Sequence, residues 1–430
     1  MINVTAEKKR ITIVDALRGF ALFGIIIAHM NNQYYAGMPP PGHEAMSIKN
    51  GFDNFLQVFH DILIFGKFYT IFSFLFGLSF GIQLLNALAK NKPFLGRFAW
   101  RLVVLLLIGF LNHVHYRGDI LVIYAVLGFF LLLFYKAGNK VLLFWSFFFI
   151  LNMPGFIFKT VMYVNSLNKS AVAQSQPMAL PEGFDMKKIQ AEATAYYNMV
   201  KQGDYSGIAK TNITKEFQNK LFFQLFTGRL FVTMGLFILG LYVARKRIFE
   251  NMPLHIQGIK KWLWISLAIS LQAVLLYGLF GEKLFATGGI AGLLVSFLGD
   301  AFSPALSMVY AACFILLFQK EKWQNKLSVL IPMGRMGLTT YLTQTLFGVL
   351  IFYGYGLNML GVIGNTVTYT TGIIIFIAQV YFSRWWLSKY YYGPFEWIWR
   401  SLTYFKAQPM IKDKEIIVKA DASYSPVEQH

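Results

Sequence analysis

Repeated apolar runs of membrane-spanning length constrain this chain more than any other feature. In lipid only helices and closed barrels satisfy their own backbone, and a helix needs about 20 residues to cross about 30 Å of hydrocarbon. Ten such stretches occur: Ile13 to Met30, Phe68 to Leu88, Leu102 to Tyr116, Ile120 to Tyr135, Val141 to Val164, Leu221 to Val243, Trp262 to Phe280, Phe302 to Phe318, Leu338 to Tyr355 and Val367 to Leu387. The third and fourth are short, and Asp119 between them implies a tight polar turn at one face. The aromatic stretch Phe52 to Phe65 carries Asp53, His60 and Asp61 and reads as an interfacial or re-entrant helix. The expectation is an all-α polytopic bundle of about ten transmembrane helices. Composition agrees: 56% of the 430 residues are apolar and 14% charged, where a soluble chain needs roughly a quarter charged.

The net charge of +19 invites a nucleic-acid reading, but the 39 Lys and Arg lie between apolar runs and form no single polar face. That pattern sets orientation in a membrane, and no nucleic-acid partner is expected. One set of loops holds Lys8, Lys9 and Arg10; Lys90, Lys92, Arg97 and Arg101; Lys136 and Lys140; Arg245, Lys246, Arg247, Lys260 and Lys261; and Lys320, Lys322, Lys326 and Arg335. The short loops of the other side hold only Lys49, Arg117 and Lys283. Loops rich in Lys and Arg stay in the cytoplasm, so both termini are expected inside. The start resembles a signal peptide, yet Asp15 and Arg18 interrupt its apolar part and no small-residue cleavage site follows, which predicts an uncleaved first span. Cys313 is the only cysteine, which excludes an intramolecular disulfide and a multi-Cys metal site.

Residues 1–405 read as one membrane domain with an extracytoplasmic loop, 165–219, inserted in it. That loop is polar, its charges nearly cancel, and Met186 to Val200 has the pattern of a helix; it serves as a solvated cap or a substrate-selecting lid. The tail 406–430 alternates charge with few apolar residues and is expected to be disordered. No internal repeat or inverted hydropathy symmetry is visible, which weakens a secondary-transporter reading.

An ionisable side chain inside a span costs at least ~2.5 kcal/mol on insertion scales, so each needs a partner, a wet cavity or a job. The first span has Asp15, Arg18 and His29. Eleven residues separate Arg18 from His29, and at 100° per residue the two fall within about 20° of the same helix face, with Asp15 one turn below. Gly19 and Gly24 thin the same helix for a close neighbour. A structural Asp15–Arg18 pair with an interfacial His29 is the bland alternative.

A second cluster, NHVHYRGDIL, places His113, His115, Arg117 and Asp119 within seven residues. A neutral imidazole accepts a proton near neutral pH, and a carboxylate across the Gly118 turn would fix its tautomer, so the cluster suits general-base work. It reads equally as a wet loop anchoring helix ends. A His-x-His with one Asp and no fourth ligand is a weak zinc signal, and no metal is expected. Five histidines, His29, His43, His60, His113 and His115, fall on the outer half, while His255 and His430 fall inside. On the inner side Lys92, Arg97, Arg101 and Arg335 suit an anion, since guanidinium forks match phosphate oxygens, although the positive-inside rule alone accounts for each of them singly. Anion-binding groups inside and a base outside are what transfer from a cytosolic phosphorylated donor to an external acceptor requires.

Five ordered motifs carry a family resemblance: DALRGFALFGI from Asp15, FSFLFG from Phe72, GDIL from Gly118 followed by Tyr124 and Ala125, GRMGLTTYLTQ from Gly334, and GPFEWIWRSLTY from Gly393. Over about Arg10 to Phe405 the chain resembles the YeiB-like bacterial membrane proteins, the domain of unknown function 418 family. That family is similar in its first span to membrane acyltransferases of family 3 and to heparan-alpha-glucosaminide N-acetyltransferase. The acyltransferase pattern of an Arg followed eleven residues later by a His falls on Arg18 and His29. The inner-loop arginine pair of those enzymes is spaced by two residues, whereas Arg97 and Arg101 are spaced by three, and Thr340 stands where YeiB-like chains often have Asn.

The resemblance implies an enzyme of the bacterial inner membrane that moves an acyl group, acetyl from acetyl-CoA in the first instance, to a hydroxyl or amine of an envelope glycan or other small acceptor. His29 is then the general base, with His113 and His115 as competitors and Asp119 orienting the imidazole. Arg18 pairs with Asp15 or polarises the thioester carbonyl, and Arg97, Arg101 and Arg335 hold the CoA phosphates. Glu396 and Arg400, four residues apart, are expected to be a structural helix pair, with Trp397 and Trp399 as an interfacial belt. The alternatives are a transporter or flippase of a small or lipid-linked metabolite, with Arg18 and Lys67 more critical than His29, and a scaffold without catalysis. Acceptor identity and oligomeric state are not legible in the sequence.

Overall fold

A computed structural model describes residues 11–40, 48–167, 186–280 and 289–412. Expectations on Lys8, Lys9, Arg10, His43, Lys283 and His430, and on residues 168–185 and 413–430, lie outside the described residues. Among the described residues the only strand-like feature is an isolated bridge between Tyr390 and Ile411. In chain order the helices are α1 Thr12–Asn31, α2 Gly51–Phe59, α3 Phe68–Leu88, α4 Leu95–His115, α5 Leu121–Leu131, α6 Asn139–Ile150, α7 Met153–Leu167, α8 Met186–Gln202 and α9 Tyr205–Thr211. They continue with α10 Phe217–Phe226, α11 Arg229–Arg245, α12 Met252–Phe280, α13 Gly289–Phe318, α14 Glu321–Leu327, α15 Ile331–Arg335, α16 Gly337–Phe352, α17 Asn365–Lys389 and α18 Pro394–Tyr404.

Among the described residues six helices are individually long and apolar enough to cross a bilayer: α1, the run Gly51–Leu88, α4, Met252–Leu276 of α12, Ile290–Phe318 of α13, and α17. Two bent pairs raise the count to eight if each is one broken span: α6 with α7, at 49°, and Tyr205–Phe226 with α11, at 70°. The remaining two expected segments are the shorter apolar helices Leu121–Phe134 and Gly337–Phe352. Their first turns are enclosed by protein, with Leu121 to Ala125 and Gly337 to Tyr341 buried, while Phe130 and Leu133 of the one and Leu346 and Leu350 of the other are exposed. The protein is a multi-pass membrane helix bundle, with six to eight spans by length and hydropathy against the ten segments of the sequence reading. The aromatic stretch before α3 is a separate helix, α2, continued by a π turn over His60–Ile64 and broken where Gly66 takes φ +78°.

α1 is the hub. It is apolar on nearly every side and buried at Ala16, Leu17, Ala21, Leu22, Ile26 and Met30. Its small residues admit neighbours: a Cβ on Gly24 would lie 2.0 Å from the Phe68 ring of α3. α3 and α11 meet as closely, since a Cβ on Gly77 would lie 2.0 Å from the Phe237 carbonyl oxygen and one on Gly240 2.3 Å from that of Phe74. In lipid such backbone contact substitutes for the hydrophobic driving force that water would supply.

The helix expected over Met186 to Val200 is α8, and with α9 and α10 it roofs one end of the bundle. The roof is fastened by backbone: Gly354 N donates to the Val200 carbonyl at 2.9 Å and Met38 N to that of Ala193 at 3.2 Å. Arg117 adds an ion pair to Glu216 at 3.0 Å, with its guanidinium 4.4 Å from the centre of the Tyr196 ring.

Candidate functional site

A cavity of about 1350 Å³ occupies the bundle, larger than the ~300–1,000 Å³ that one small ligand fills. At the basic end its wall includes Asp15, Arg18, Arg101, Arg335, Glu396 and Arg400. Under the roof it includes His29, Arg117, Asp119, Lys220 and Arg229. Arg18 and His29 thus face one hollow, with Ile25 between them on the wall, as the helical spacing requires.

Arg18 is held from three sides. Its guanidinium donates to Asp15 Oδ1 at 2.8 Å, to the Gly334 carbonyl at 3.0 Å and to Ser79 Oγ at 3.1 Å. The pair joins α1 to α3 and α15 at the point where Gly334, lacking a side chain, lies against the backbone of Asp15. His29 has a different setting. Its imidazole stands among the rings of Tyr34, Tyr35, Tyr116 and Tyr341, at centroid separations of 5.7, 5.6, 5.7 and 6.4 Å. Tyr34 donates its hydroxyl proton to the Gln344 carbonyl at 2.7 Å, and Tyr341 Oη accepts from Ile120 N at 3.3 Å.

The second histidine cluster does not assemble as the sequence spacing suggests. His113 is buried and outside the cavity wall; Nε2 donates to the Asn212 carbonyl at 3.0 Å and Nδ1 accepts from Lys220 Nζ at 2.7 Å, which fixes a neutral tautomer. His115 is exposed, stacked on Tyr205 and bonded to its hydroxyl at 2.9 Å. Asp119 orients neither ring. Its carboxylate accepts from Asn112 Nδ2 at 2.7 Å and from Val122 N at 3.2 Å, capping the start of α5, and burial holds its carboxyl above the usual range. The turn at Gly118 directs the carboxylate back onto its own helix ends, while the end of α4 points His113 toward α10. Lys220, which also donates to the Asp119 carbonyl at 2.8 Å, is the link the sequence reading missed.

At the basic end Arg101 lies over Trp399, 3.9 Å from the ring centre, and faces the cavity with Arg335. Arg97 is exposed, rests over Tyr404 at 5.5 Å and takes no part in the wall. Glu396 and Arg400 do not pair as their spacing suggests. The Glu396 carboxylate accepts from Leu338 N at 2.6 Å, Thr339 N at 3.0 Å and Thr339 Oγ1 at 2.6 Å, so it caps the start of α16 from a neighbouring helix. Burial pushes its carboxyl up from the ordinary 4.5. Arg400 lies over Tyr392 and Tyr404 at 4.9 and 5.5 Å, and its buried Nε meets no acceptor among the described residues. Four guanidiniums therefore face two carboxylates at this end of the wall, and both carboxylates are engaged in holding the fold. The arrangement leaves an excess of positive charge beside aromatic faces, which suits an anion.

Three further charges inside the expected spans escaped the sequence reading although the same cost argument applies to them: Arg229, Lys159 and the exposed Arg384. Arg229 stands inside the expected span Leu221 to Val243 and faces the cavity. Lys159, inside the expected span Val141 to Val164, pairs with Asp300 at 3.1 Å away from the cavity wall and ties α7 to α13.

No solved structure matches this chain. Curated relatives do. The chain is 30% identical to the uncharacterized protein YxaH of Bacillus subtilis, over 96% of its own length and 99% of that protein. It is 26% identical to an uncharacterized 39.9 kDa protein from the amylase 3' region of Bacillus acidopullulyticus, over 95% and 98% of the two chains. A shorter match, 33% over 109 residues, covers 25% of this chain and 28% of the uncharacterized protein YeiB of Escherichia coli. The family described as "Protein of unknown function (DUF418)" matches residues 243–406, which contain Arg335, Glu396 and Arg400. On these similarities the chain belongs to the YeiB-like DUF418 family of membrane proteins.

Proposed function

We propose that this protein is a membrane-embedded acyltransferase of the bacterial cytoplasmic membrane, taking an acyl group, acetyl in the first instance, from cytosolic acyl-CoA to a hydroxyl or amine on the other side. One observation carries the reading: a single cavity is lined at its basic end by Arg18, Arg101, Arg335 and Arg400 and at its roofed end by His29. The positive-inside rule assigns the basic end to the cytosol. The guanidiniums suit the phosphates of a CoA, and Trp399 and Tyr404 offer faces for its base.

Eleven residues of α1 separate Arg18 from His29, about 16 Å along the axis, so one thioester carbonyl cannot touch both. Arg18, already held by Asp15, Gly334 and Ser79, is a positioning residue at the donor's entrance, and His29 is the base. His29 takes the proton of the acceptor O–H or N–H as that atom attacks the thioester carbon; the C–S bond then breaks and the imidazolium returns the proton to the CoA thiolate. Tyr341 accepts from Ile120 N, which leaves its own hydroxyl proton to stabilise the developing oxyanion, an interaction worth roughly 3 kcal/mol.

The test is transfer of label from radiolabelled acetyl-CoA into envelope fractions of membranes containing the wild type or His29→Ala. The reading expects label with the wild type and its loss with His29→Ala at equal expression. Movement of an unmodified substrate without label transfer identifies a transporter instead. Equal labelling after replacement of His29, His113 and His115 together removes the site assignment.

A further inference from the structure

Arg229 is a cation under the roof for which the acyl-transfer reading has no use. It opens α11, immediately after the 70° bend at Gly228. Its guanidinium lies over Phe65, Tyr69 and Phe223, at 4.8, 5.5 and 5.2 Å from the ring centres, and meets no carboxylate among the described residues. An arginine at membrane depth without a counter-ion is costly unless a ligand supplies the anion. A second, independent feature lies across the same bend. Gln224 lines the cavity, is 8% exposed, and its Oε1 accepts from no donor among the described residues. An unpaired cation and an unpaired buried acceptor on one wall call for a ligand that carries an anion together with an O–H or N–H donor.

The route to this corner is marked by α10. Phe222, Phe223 and Phe226 line the cavity, and Leu225 of the same helix is 50% exposed away from the cavity wall. A helix that turns aromatics to the cavity and an aliphatic side chain away from it forms a lip between hydrocarbon and cavity. The first turn of α11 has no side-chain cap, so its N–H groups add to the positive potential beside Arg229.

We propose that Arg229 and Gln224 form a binding site for the phosphate and adjacent hydroxyl of an anionic membrane lipid, which enters sideways past the α10 aromatics. The site stands whether or not acyl transfer is the activity. If transfer holds, it places a lipid-borne acceptor on the His29 side of the cavity.

The full chain in phosphatidylcholine nanodiscs tests this. Short-chain phosphatidylglycerol is titrated in, and retained lipid is counted by native mass spectrometry for the wild type, Arg229→Gln, Arg229→Lys and Gln224→Leu. The expected result is one retained phosphatidylglycerol per wild-type chain, with affinity falling about tenfold or more in Arg229→Gln, less in Arg229→Lys, and also in Gln224→Leu. Unchanged melting of Arg229→Gln in phosphatidylcholine alone shows that the variant folds, and a variant that melts early is replaced in the comparison by Arg229→Lys. Equal retention by wild type and Arg229→Gln overturns the proposal. So does competition by inorganic phosphate as effective as that by the lipid, since the site then reads free anion, and so does loss of retention on Arg101→Gln alone, which would put the lipid at the other end.

Discussion

Arg18 shows how far a helical spacing carries. The interval to His29 puts both side chains on one face, and both line the same cavity. What the spacing could not supply is what each meets there: Gly334 and Ser79 come from distant segments and fix Arg18 in place, while four tyrosines surround His29. The Asp15–Arg18 pair is largely sheltered, so removing one partner strands the other. Arg18→Gln is expected to cost about 3 kcal/mol in detergent melting, and the double variant Asp15→Asn with Arg18→Gln to recover part of that loss. A double variant as unstable as the sum of the singles would mean that the two charges act separately. For His29→Ala the expected loss is at least ~10²-fold in label transfer with melting little changed, the signature of a base and not of a packing residue. For the second histidine cluster the sequence left a general base and a loop anchoring helix ends open, because proximity across a turn does not fix direction: Asp119 turns back to cap α5, as the second reading has it, and His113 turns to Lys220, a partner 107 positions away. Arg229 was legible by the rule that singled out Arg18, since it sits in an apolar run just as exposed to cost.

At the scale of elements, the apolar runs and their breaks were readable, and the pairing of helices was not. Glu396 illustrates the difference: a spacing of four suggested a partner on its own helix, whereas three donors from the start of α16 claim the carboxylate. Glu396→Ala is expected to lower stability by about 1–3 kcal/mol, while Glu396→Gln, which keeps an acceptor for the two backbone N–H groups, costs less. The pH dependence has a definite sign. Because burial raises the folded value above 4.5, the folded protein keeps this proton longer than the unfolded chain. Its contribution is full below 4.5 and is lost as pH rises through the raised value. Melting from about pH 4 to pH 8 should therefore show Glu396→Gln gaining on the wild type as pH rises. A constant difference across that range would contradict the assignment. Between α3 and α11 the backbones leave no room, so Gly77→Leu is expected to cost at least about 1–3 kcal/mol and to reduce the folded yield in detergent, read by melting and size exclusion.

The whole molecule reads as a bundle whose central helix carries charge through lipid because a cavity, a roof and close helix packing shelter it. The basic loops carry the expectation that the arginine end faces the cytosol, and the α8–α10 segment is fastened over the His29 end by backbone bonds, which suits a cover for chemistry that excludes water. The claim on which the rest depends is that the arginine end and the His29 end serve one reaction from opposite sides of the membrane. Sealed vesicles of opposite orientation test it directly, with radiolabelled acetyl-CoA supplied from outside and product recovered by compartment. The account predicts transfer only in inside-out vesicles, with the labelled acceptor in the lumen and the signal lost in both His29→Ala and Arg101→Gln. Equal transfer in both orientations, or transfer that survives either substitution, would contradict it.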